Sequence, residues 1–536
     1  MTSPFLPAPA SFLPFKKKAL HACSALLLTA LGALPTTSHA GFFEDLLKLF
    51  GGGGTTTTPG GGTTTPGQAG IPTDAYLKGT FGAVAAWPLI PMHMVLLPDG
   101  RVMSYGSDAK GVQTAQFNYD VWDPTKGTGT ASHLVLPNTT GTDIFCSAQV
   151  VLPSSGAVLL TGGDRTINGV RNYSADDVNF FDYRYNAMYA APQRMSTLRW
   201  YPTVVTLANG KVLVLGGRID PNTPAPTPEL YSEGEGWRSL TGATSNDAYG
   251  IRNWSYPLAW QAPNGKVFVT TIWGGTYYVD ATGDGSLAAT PLRLTAGDYY
   301  LPSVMYAPGK ILALRKFNKA VIIDINGATP TSTNVTGVGQ DRFHGSATVL
   351  ANGQVFVNGG SMVDNVANGV AYQAKIWNPV TKAWTVAATA KKMRLYHSAS
   401  LLLPDATVLT AGGGAPGPAT NLNAEIYMPP YLYKAGSSLA VRPVIQSAPT
   451  ATTWGASIAA TTDVTGISRV TLVKTGSATH TADFDQRFME LGYTASGTNL
   501  TIQAPASANV APPGYYMLFV FNSAGVPSVA KIIKLG

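Results

Sequence analysis

An apolar hairpin recurs along the chain between Ile71 and Tyr433. Each copy has an apolar strand, a short turn and a second apolar strand, and most end in Gly-Gly. Asp-Gly and Asn-Gly turns tolerate positive φ, so these segments predict tight β-hairpins. The seven segments are HMVLLPDGRVMSYG, AQVVLPSSGAVLLTGG, PTVVTLANGKVLVLGG, PLAWQAPNGKVFVTTIWGG, PSVMYAPGKILALR, GSATVLANGQVFVNGG and HSASLLLPDATVLTAGGG.

The turns of these hairpins are regularly spaced, at 56, 54, 55, 44, 44 and 53 residues. Repeats of roughly 40 to 50 residues with four strands per unit are typical of kelch-type propeller blades. We therefore predict a seven-bladed β-propeller over residues 71–435, because a series of two-sheet sandwiches would not explain so regular a spacing. The turn positions are Gly100, Gly156, Gly210, Gly265, Gly309, Gly353 and Ala406.

The pattern changes in residues 436–536, where the hairpin and its Gly-Gly are missing. Short alternating runs such as Val470–Val473 and Tyr515–Phe521 replace them. Such runs favour an immunoglobulin-like β-sandwich. The predicted fold is thus all-β, a propeller followed by a sandwich.

Polar and aromatic residues repeat at one position of the hairpins. Counting back nine residues from each turn, or ten where the turn is one residue longer, gives one residue per blade. Equivalent positions in successive blades form a ring around the propeller axis, so these side chains should meet at one end of the channel. Phenol, imidazole and thiol groups there indicate a site, and they suit copper better than calcium. The positions are Pro91, Cys146, Tyr201, Tyr256, Tyr300, His344 and His397.

Composition supports an all-β protein, since charged residues make up only 12% of the chain and Gly 58 and Pro 38 indicate many turns. The formal charge of +7 includes three lysines of the N-terminal leader, so the mature excess over the 29 acidic residues is +4. Spread over the remaining chain, this excess predicts no nucleic-acid partner.

The first 40 residues are typical of a secretory signal peptide. A lysine cluster, Lys16–Lys18, precedes an apolar run and the small-residue cleavage site Ser38-His39-Ala40. The run is shorter than the ~20 residues of a membrane span and is broken by Pro35. We predict export to the cell envelope or medium, with no transmembrane span after cleavage. Residues 41–70 form a short amphipathic piece and a Gly/Thr/Pro-rich linker.

Loss of the leader removes Cys23 and leaves Cys146 as the only cysteine. An unpaired thiol in an oxidising compartment is a liability unless it is buried or used. Both interpretations are open from the residues alone.

Five motifs carry a resemblance to a known family. The sequence resembles the copper-radical oxidases of the galactose oxidase and glyoxal oxidase family, over roughly residues 71–536. The motifs that carry it, in chain order, are DIFCSAQ around Cys146, RWYPT around Tyr201, RLYHSASLLLP around Tyr396 and His397, EIYMPPYLY at Glu425–Tyr433, and SATHTADFDQR around His480.

The resemblance implies a copper site and a covalent redox cofactor. Cys146 and Tyr201 would be joined by a thioether that carries a tyrosyl radical. Tyr201, His397 and His480 would ligate copper equatorially, with Tyr396 axial as the general base. Alone, His480 would pass for a surface loop histidine. The implied reaction oxidises a primary alcohol or aldehyde with O2 and releases hydrogen peroxide.

Two departures favour the glyoxal oxidase-like branch over galactose oxidase. The galactose oxidase pattern has a tryptophan two positions after Gly216-Gly217, where this chain has Arg218 and Ile219. Trp87 and Trp200 are the candidates to shield the radical instead. No carbohydrate-binding domain separates the linker from the propeller.

The remaining ring residues, Tyr256, Tyr300 and His344, are predicted to line the channel mouth and select the substrate; the alternative is that they cap the hairpins. A monomer is expected, with an extracellular glycan as a second candidate partner. The competing function is a secreted kelch propeller that binds a glycan or protein without chemistry.

Overall fold

The computed structural model describes residues 70–167, 170–251, 253–297, 300–436 and 438–536. The predicted signal peptide, residues 1–40, lies outside them, as does the predicted linker, residues 41–70, apart from Gly70. The described chain is almost entirely β, and the predicted fold class of propeller plus sandwich is confirmed.

Seven antiparallel sheets form the propeller, and in each the strands follow one another outwards from the axis. Neighbouring inner strands contact each other, including those of the seventh and first blades. From blade 1 to blade 7 the strands are His93–Leu96, Val102–Tyr105, Asn118–Trp122, His133–Pro137; Ala148–Val151, Val158–Thr161, Val178–Asp182, Ala187–Ala190; Trp200–Thr206, Val212–Arg218, Glu229–Ser232, Gly236–Ser239; Leu258–Gln261, Val267–Thr270, Thr276–Asp280, Ser286–Ala289; Ser303–Ala307, Lys310–Arg315, Lys319–Asp324, Thr331–Val335; Phe343–Val349, Val355–Ser361, Gln373–Trp377, Trp384–Thr389; and Ser398–Leu402, Val408–Gly412, Asn423–Met428, Thr80–Phe81.

Burial along each blade explains the sequence pattern. Inner strands such as Ser398–Leu402 are buried on both faces, so they are continuously small or apolar. Outer strands such as Thr331–Val335 are largely exposed and polar. The tryptophans Trp122 and Trp377 end the third strands of blades 1 and 6 and are fully buried.

The outer strand of blade 7 comes from the start of the propeller. Thr80–Phe81 pairs with Asn423–Met428, and Ala85–Ala86 pairs with the same strand. Phe81 packs on Tyr427 with ring centroids 5.0 Å apart. The two ends of the propeller are thereby joined, and blade 7 has no free edge on this strand.

The C-terminal sandwich has two sheets around their own apolar core, which includes Ile458, Leu472 and Leu518. In sheet order, the strands are Ile445–Ser447, Ser457–Thr462, Asn499–Gln503 and Tyr493–Ser496, then Ala451–Thr452, Lys531–Leu535, Gly514–Phe521, Arg469–Lys474 and Phe488–Leu491.

One hairpin of this region leaves the sandwich and joins the propeller. Its strands are Ser477–Thr479 and Ala482–Asp483, and the first pairs with the inner strand of blade 1, His93 opposite Thr479. The turn of the hairpin consists of His480 and Thr481. This insertion is the structural reason that a C-terminal residue reaches the propeller axis.

The remaining elements are short. None of the helices in the described part of the chain is long and apolar enough to cross a membrane. The α-helices are Ala75–Lys78 and Asn246–Tyr249, the 3₁₀-helices Pro124–Lys126, Thr130–Ser132, Thr241–Ala243 and Pro430–Leu432, and the other strands Asp164–Ile167, Val170–Ser174, Tyr433–Lys434 and Ser438–Leu439.

Candidate metal centre

The ring positions found in the sequence share an uncommon backbone conformation. Six of the seven have a positive φ, which bulky non-glycine residues rarely adopt. Pro91 is the exception because its pyrrolidine ring fixes φ at a negative value. The values are 57° at Cys146, 64° at Tyr201, 42° at Tyr256, 62° at Tyr300, 62° at His344 and 67° at His397.

Backbone hydrogen bonds between neighbouring blades hold these residues in that conformation. The amide of Tyr201 donates to the Cys146 carbonyl at 3.0 Å, and that of Tyr256 donates to the Tyr201 carbonyl at 2.9 Å. The His344 amide bonds in the same way to Tyr300, at 2.8 Å. Blade-to-blade bonding thus fixes the chain at the entrances of the inner strands of blades 3, 4 and 6.

His480 lies among the ring side chains. Its imidazole centroid is 4.6 Å from that of His397, 4.8 Å from Tyr201 and 4.7 Å from Tyr256. Tyr396, immediately before His397, is 5.3 Å away and meets it edge-on. The inserted hairpin therefore brings a residue of the sandwich to residues of blades 3, 4 and 7.

Hydrogen bonds fix the tautomer of both histidines. His397 donates from Nδ1 to the Gly414 carbonyl at 2.7 Å. The Thr479 hydroxyl donates to the Met92 carbonyl at 2.9 Å, so it can only accept the 2.6 Å bond from Nδ1 of His480. Each imidazole is left with an Nε2 lone pair, and that of His480 has no partner among the described residues.

Cys146 and two tyrosines complete the cluster. The Tyr201 hydroxyl bonds to that of Tyr396 and lies 3.4 Å from Nε2 of His397. Cys146 is a free, buried thiol. The ligand atoms of Cys146, His397 and His480 all lie within 4.8 Å of one another.

Burial sets the protonation of these groups. It lowers the pKa of His397 to about 3 and lowers that of His480 well below its usual value, so both imidazoles are neutral. Burial also raises the pKa of the Cys146 thiol and of the Tyr201 and Tyr396 phenols. Two neutral imidazoles that each present an Nε2 lone pair beside two phenols fit copper.

The three predicted pocket residues have different surroundings. Tyr256 is only 4% exposed, and its hydroxyl donates to the Ser147 carbonyl at 3.0 Å. Tyr300 bonds to Ser255 at 2.7 Å and lies 5.7 Å from Tyr396.

His344 stacks on Tyr300 at 4.8 Å and lies 5.0 Å from Tyr396. Its Nε2 bonds to the exposed carboxylate of Asp364, which the sequence did not single out. Tyr300 and His344 are therefore the neighbours of Tyr396, whereas Tyr256 packs beneath Tyr201.

Two tryptophans flank Tyr201. The Trp200 ring is 4.0 Å away and tilted, and the Trp254 ring lies 5.9 Å away at an interplanar angle of 26°. Trp254 was missed because it is outside the ring register. The suggestion that Trp87 shields Tyr201 is wrong: its indole packs on Trp122 inside blade 1 and donates to Ser104.

Comparisons with known proteins identify the family of this chain. A galactose oxidase-like Early set domain model matches residues 442–535. Galactose oxidase from Gibberella zeae is 31% identical over 500 residues, which cover 85% of this chain and 70% of the relative. This chain belongs to the copper-radical oxidase family.

Other copper-radical oxidases are similar over most of their length. An aldehyde oxidase GLOX from Vitis pseudoreticulata is 28% identical over 450 residues, 74% of this chain and 82% of that protein. A fungal alcohol oxidase of the AA5 family, solved in complex with copper, has a TM-score of 0.76 and 26% identity. The alignment covers 85% of this chain and 99% of that one. The protein is accordingly an oxidoreductase.

Proposed function

We propose that this protein is an exported oxidase that converts a primary alcohol with O2 to the aldehyde and hydrogen peroxide, or an aldehyde with water and O2 to the carboxylic acid and hydrogen peroxide. Its preference is glyoxal oxidase-like, which the Arg218-Ile219 sequence after Gly217 supports. The proposal depends above all on the convergence of side chains from the separate segments around Cys146, Tyr201, His397 and His480.

Four side chains would hold the copper: Tyr201, Tyr396, His397 and His480. Both imidazoles offer Nε2, and second hydrogen bonds at Nδ1 hold the rings in place. When bound, copper supplies an acceptor for one of the two electrons that leave the substrate. The second electron goes to the radical of the Cys146–Tyr201 unit.

That unit forms by joining the Cys146 sulfur to the Tyr201 ring. The thiol and the ring each lose a hydrogen, and the two electrons and two protons reduce one O2 to hydrogen peroxide. A backbone hydrogen bond of 3.0 Å, from the Tyr201 amide to the Cys146 carbonyl, already holds the two residues side by side. Sulfur donates electron density to the ring, so the phenol becomes easier to oxidise.

The other residues handle the proton and keep water out. Tyr396, whose hydroxyl meets that of Tyr201, is the proposed acceptor of the substrate hydroxyl proton. Tyr300 and His344 lie against Tyr396 and would contact the substrate chain. Trp254 and Trp200 cover the Tyr201 ring and would protect its radical.

Mass spectrometry of the copper-treated protein tests the proposal. We expect the mature mass to fall by two hydrogens and one joined peptide to contain Cys146 and Tyr201. The Cys146→Ser variant should keep its full mass and lose peroxide production from alcohols and aldehydes. Free, alkylatable Cys146 in copper-loaded protein would exclude the mechanism.

A further inference from the structure

Arg218 occupies the last position of the second strand of blade 3, beside the candidate metal centre. Its guanidinium carbon lies 4.0 Å from the Trp200 ring and 5.1 Å from the Trp254 ring. Trp200 in turn contacts Tyr201, with ring centroids 4.0 Å apart. This cation and the proposed radical tyrosine therefore contact the same indole.

No described residue accepts a hydrogen bond or an ion pair from the Arg218 side chain. Its Nε is buried without a partner, and the side chain as a whole is half-buried. Asp164 influences it electrostatically without bonding to it. A half-buried charge without hydrogen bonds is unfavourable, so the Arg218 guanidinium lacks a partner that a bound anion could supply.

Structural arginines elsewhere in the chain also have a buried Nε without a partner, but their terminal nitrogens are hydrogen bonded. Arg199 donates to the Gly216 and Thr227 carbonyls and to Glu229. Arg394 has the corresponding bonds in blade 7, including one to Glu425. Buried arginines that support this fold are thus bonded to it, whereas Arg218 contacts only aromatic faces.

The two indoles restrict how Arg218 can bind a ligand. Aromatic faces hold a guanidinium by cation–π contact and leave its N–H edge free. That edge matches a carboxylate, which accepts two parallel charge-assisted hydrogen bonds. The neighbouring hydroxyls of Tyr201 and Tyr396 mark where the reacting carbon would lie.

We propose that Arg218 selects an anionic substrate by binding its carboxylate, so that the preferred substrate is a primary alcohol or aldehyde that carries a carboxylate. This inference rests on the proposed oxidase function and names the substrate class. For such an alcohol, the C–H and O–H bonds of the CH2OH group break and a C=O bond forms. The two electrons and two protons reduce O2 to hydrogen peroxide, and the carboxylate is unchanged.

A matched substrate pair tests the selectivity: 3-hydroxypropanoate and its neutral amide, 3-hydroxypropanamide. We expect the copper-loaded enzyme to prefer the anion. Arg218→Gln should lower kcat/KM for the anion about 10- to 100-fold, mainly through KM, because a charge-assisted hydrogen bond is lost. Its kcat/KM for the amide should stay within about threefold, and Arg218→Lys should retain part of the preference.

Arg238→Gln, an exposed arginine in the outer strand of the same blade, is the control and should behave as wild type. An equal fall of kcat/KM for both substrates in Arg218→Gln would overturn the inference, because Arg218 would then act on the Tyr201 radical and not on the substrate.

Binding to the copper-free protein provides a readout independent of activity. Titration with 3-hydroxypropanoate should change the tryptophan fluorescence saturably, through Trp200 and Trp254, and Arg218→Gln should abolish the change. Equal binding by wild type and variant would overturn the inference even in an active oxidase. A wild type that binds the anion through Arg218 but forms no peroxide with any alcohol or aldehyde would contradict the proposed oxidase function instead.

Discussion

Thr479 determines which nitrogen of His480 is free. Its hydroxyl has one proton, which it donates to the Met92 carbonyl, so it accepts the proton on Nδ1 of His480. Loss of this hydroxyl frees the imidazole to rotate and to change tautomer. Partners of this kind are worth about 10- to 100-fold in metal affinity.

We therefore expect Thr479→Val to weaken copper binding by about 10- to 100-fold in a chelator competition assay. The control is Thr471→Val, which removes a buried hydrogen bond from the sandwich to the Ala351 carbonyl in the hairpin turn of blade 6. Copper affinity should be unchanged in the control. If both variants bound copper equally well, Thr479 would have no role in orienting His480.

Asp164 makes the stability of the protein depend on pH. Burial, together with the nearby charge of Asp143, raises the pKa of Asp164 from 3.8 to about 7 in the folded protein. Between these values the folded state keeps a proton that the unfolded state has lost, so the free energy of unfolding falls as pH rises from about 4 to about 7.

Asp164→Asn should remove this dependence, because asparagine can still accept the 2.7 Å bond from the Asn172 amide. Since one pKa unit corresponds to about 1.4 kcal/mol, we expect the free energy of unfolding of Asp164→Asn to exceed that of the wild type by a few kcal/mol at most at pH 8 and by little at pH 4. Thermal unfolding at both pH values measures this difference in stability, with the exposed Asp247→Asn as control. A difference that is the same at both pH values would contradict the assignment.

At the scale of elements, the Gly-Gly turns at the ends of the hairpins let the next blade approach. A Cβ on Gly359 would lie 2.7 Å from the Arg394 carbonyl oxygen, and one on Gly162 would lie 2.4 Å from that of Arg199. Both glycines also have positive φ. These contacts involve the segments that lead into Tyr396 and Tyr201, so the turns help to position the site.

Gly359→Ala should therefore destabilise the protein by about 2 to 4 kcal/mol, as left-handed strain and a backbone clash combine. Copper binding should weaken as well, since the Arg394–His397 segment must shift. Gly466→Ala separates the two effects: its φ is +74° but its Cβ would meet nothing within 4 Å. We expect a loss of only about 1 kcal/mol there, measured by chemical unfolding. Equal losses would show that the blade contact is unimportant.

Much of the fold and part of the site follow from this repetition. The hairpin spacing predicts seven blades, and the register finds Cys146, Tyr201 and His397 because one backbone position recurs in each blade. Residues that reach the site only by side-chain contact, outside the blade register, leave no such periodic signal in the sequence. Trp254 lies two residues before a ring position, and Arg218 follows a Gly-Gly turn like any strand end. Only the family resemblance predicts His480 as a copper ligand. The alternation of apolar residues does not reveal that its hairpin leaves the sandwich and joins the propeller.

At the scale of the molecule, the site depends on two closures. The Ser477–Asp483 hairpin adds to blade 1 and brings His480 to the axis. Thr80–Phe81 completes blade 7, which carries Tyr396 and His397 just before its inner strand. Because copper would be shared among blades 3 and 7 and the hairpin, we expect metal binding to stabilise the whole propeller.

The closing strand of blade 7 should contribute strongly to this stability. It covers one edge of Asn423–Met428, and the Tyr427 hydroxyl donates to the Lys78 carbonyl at 2.7 Å. A chain that begins after Phe81 would expose this edge and the Tyr427 ring, so we expect its unfolding temperature to drop by roughly 5 to 10 °C and its tendency to associate to rise.

A chain that begins at Gly70 keeps the strand and is the control. Differential scanning calorimetry and light scattering compare the two chains. Identical unfolding temperatures would mean that blade 7 is held by its inner strands alone.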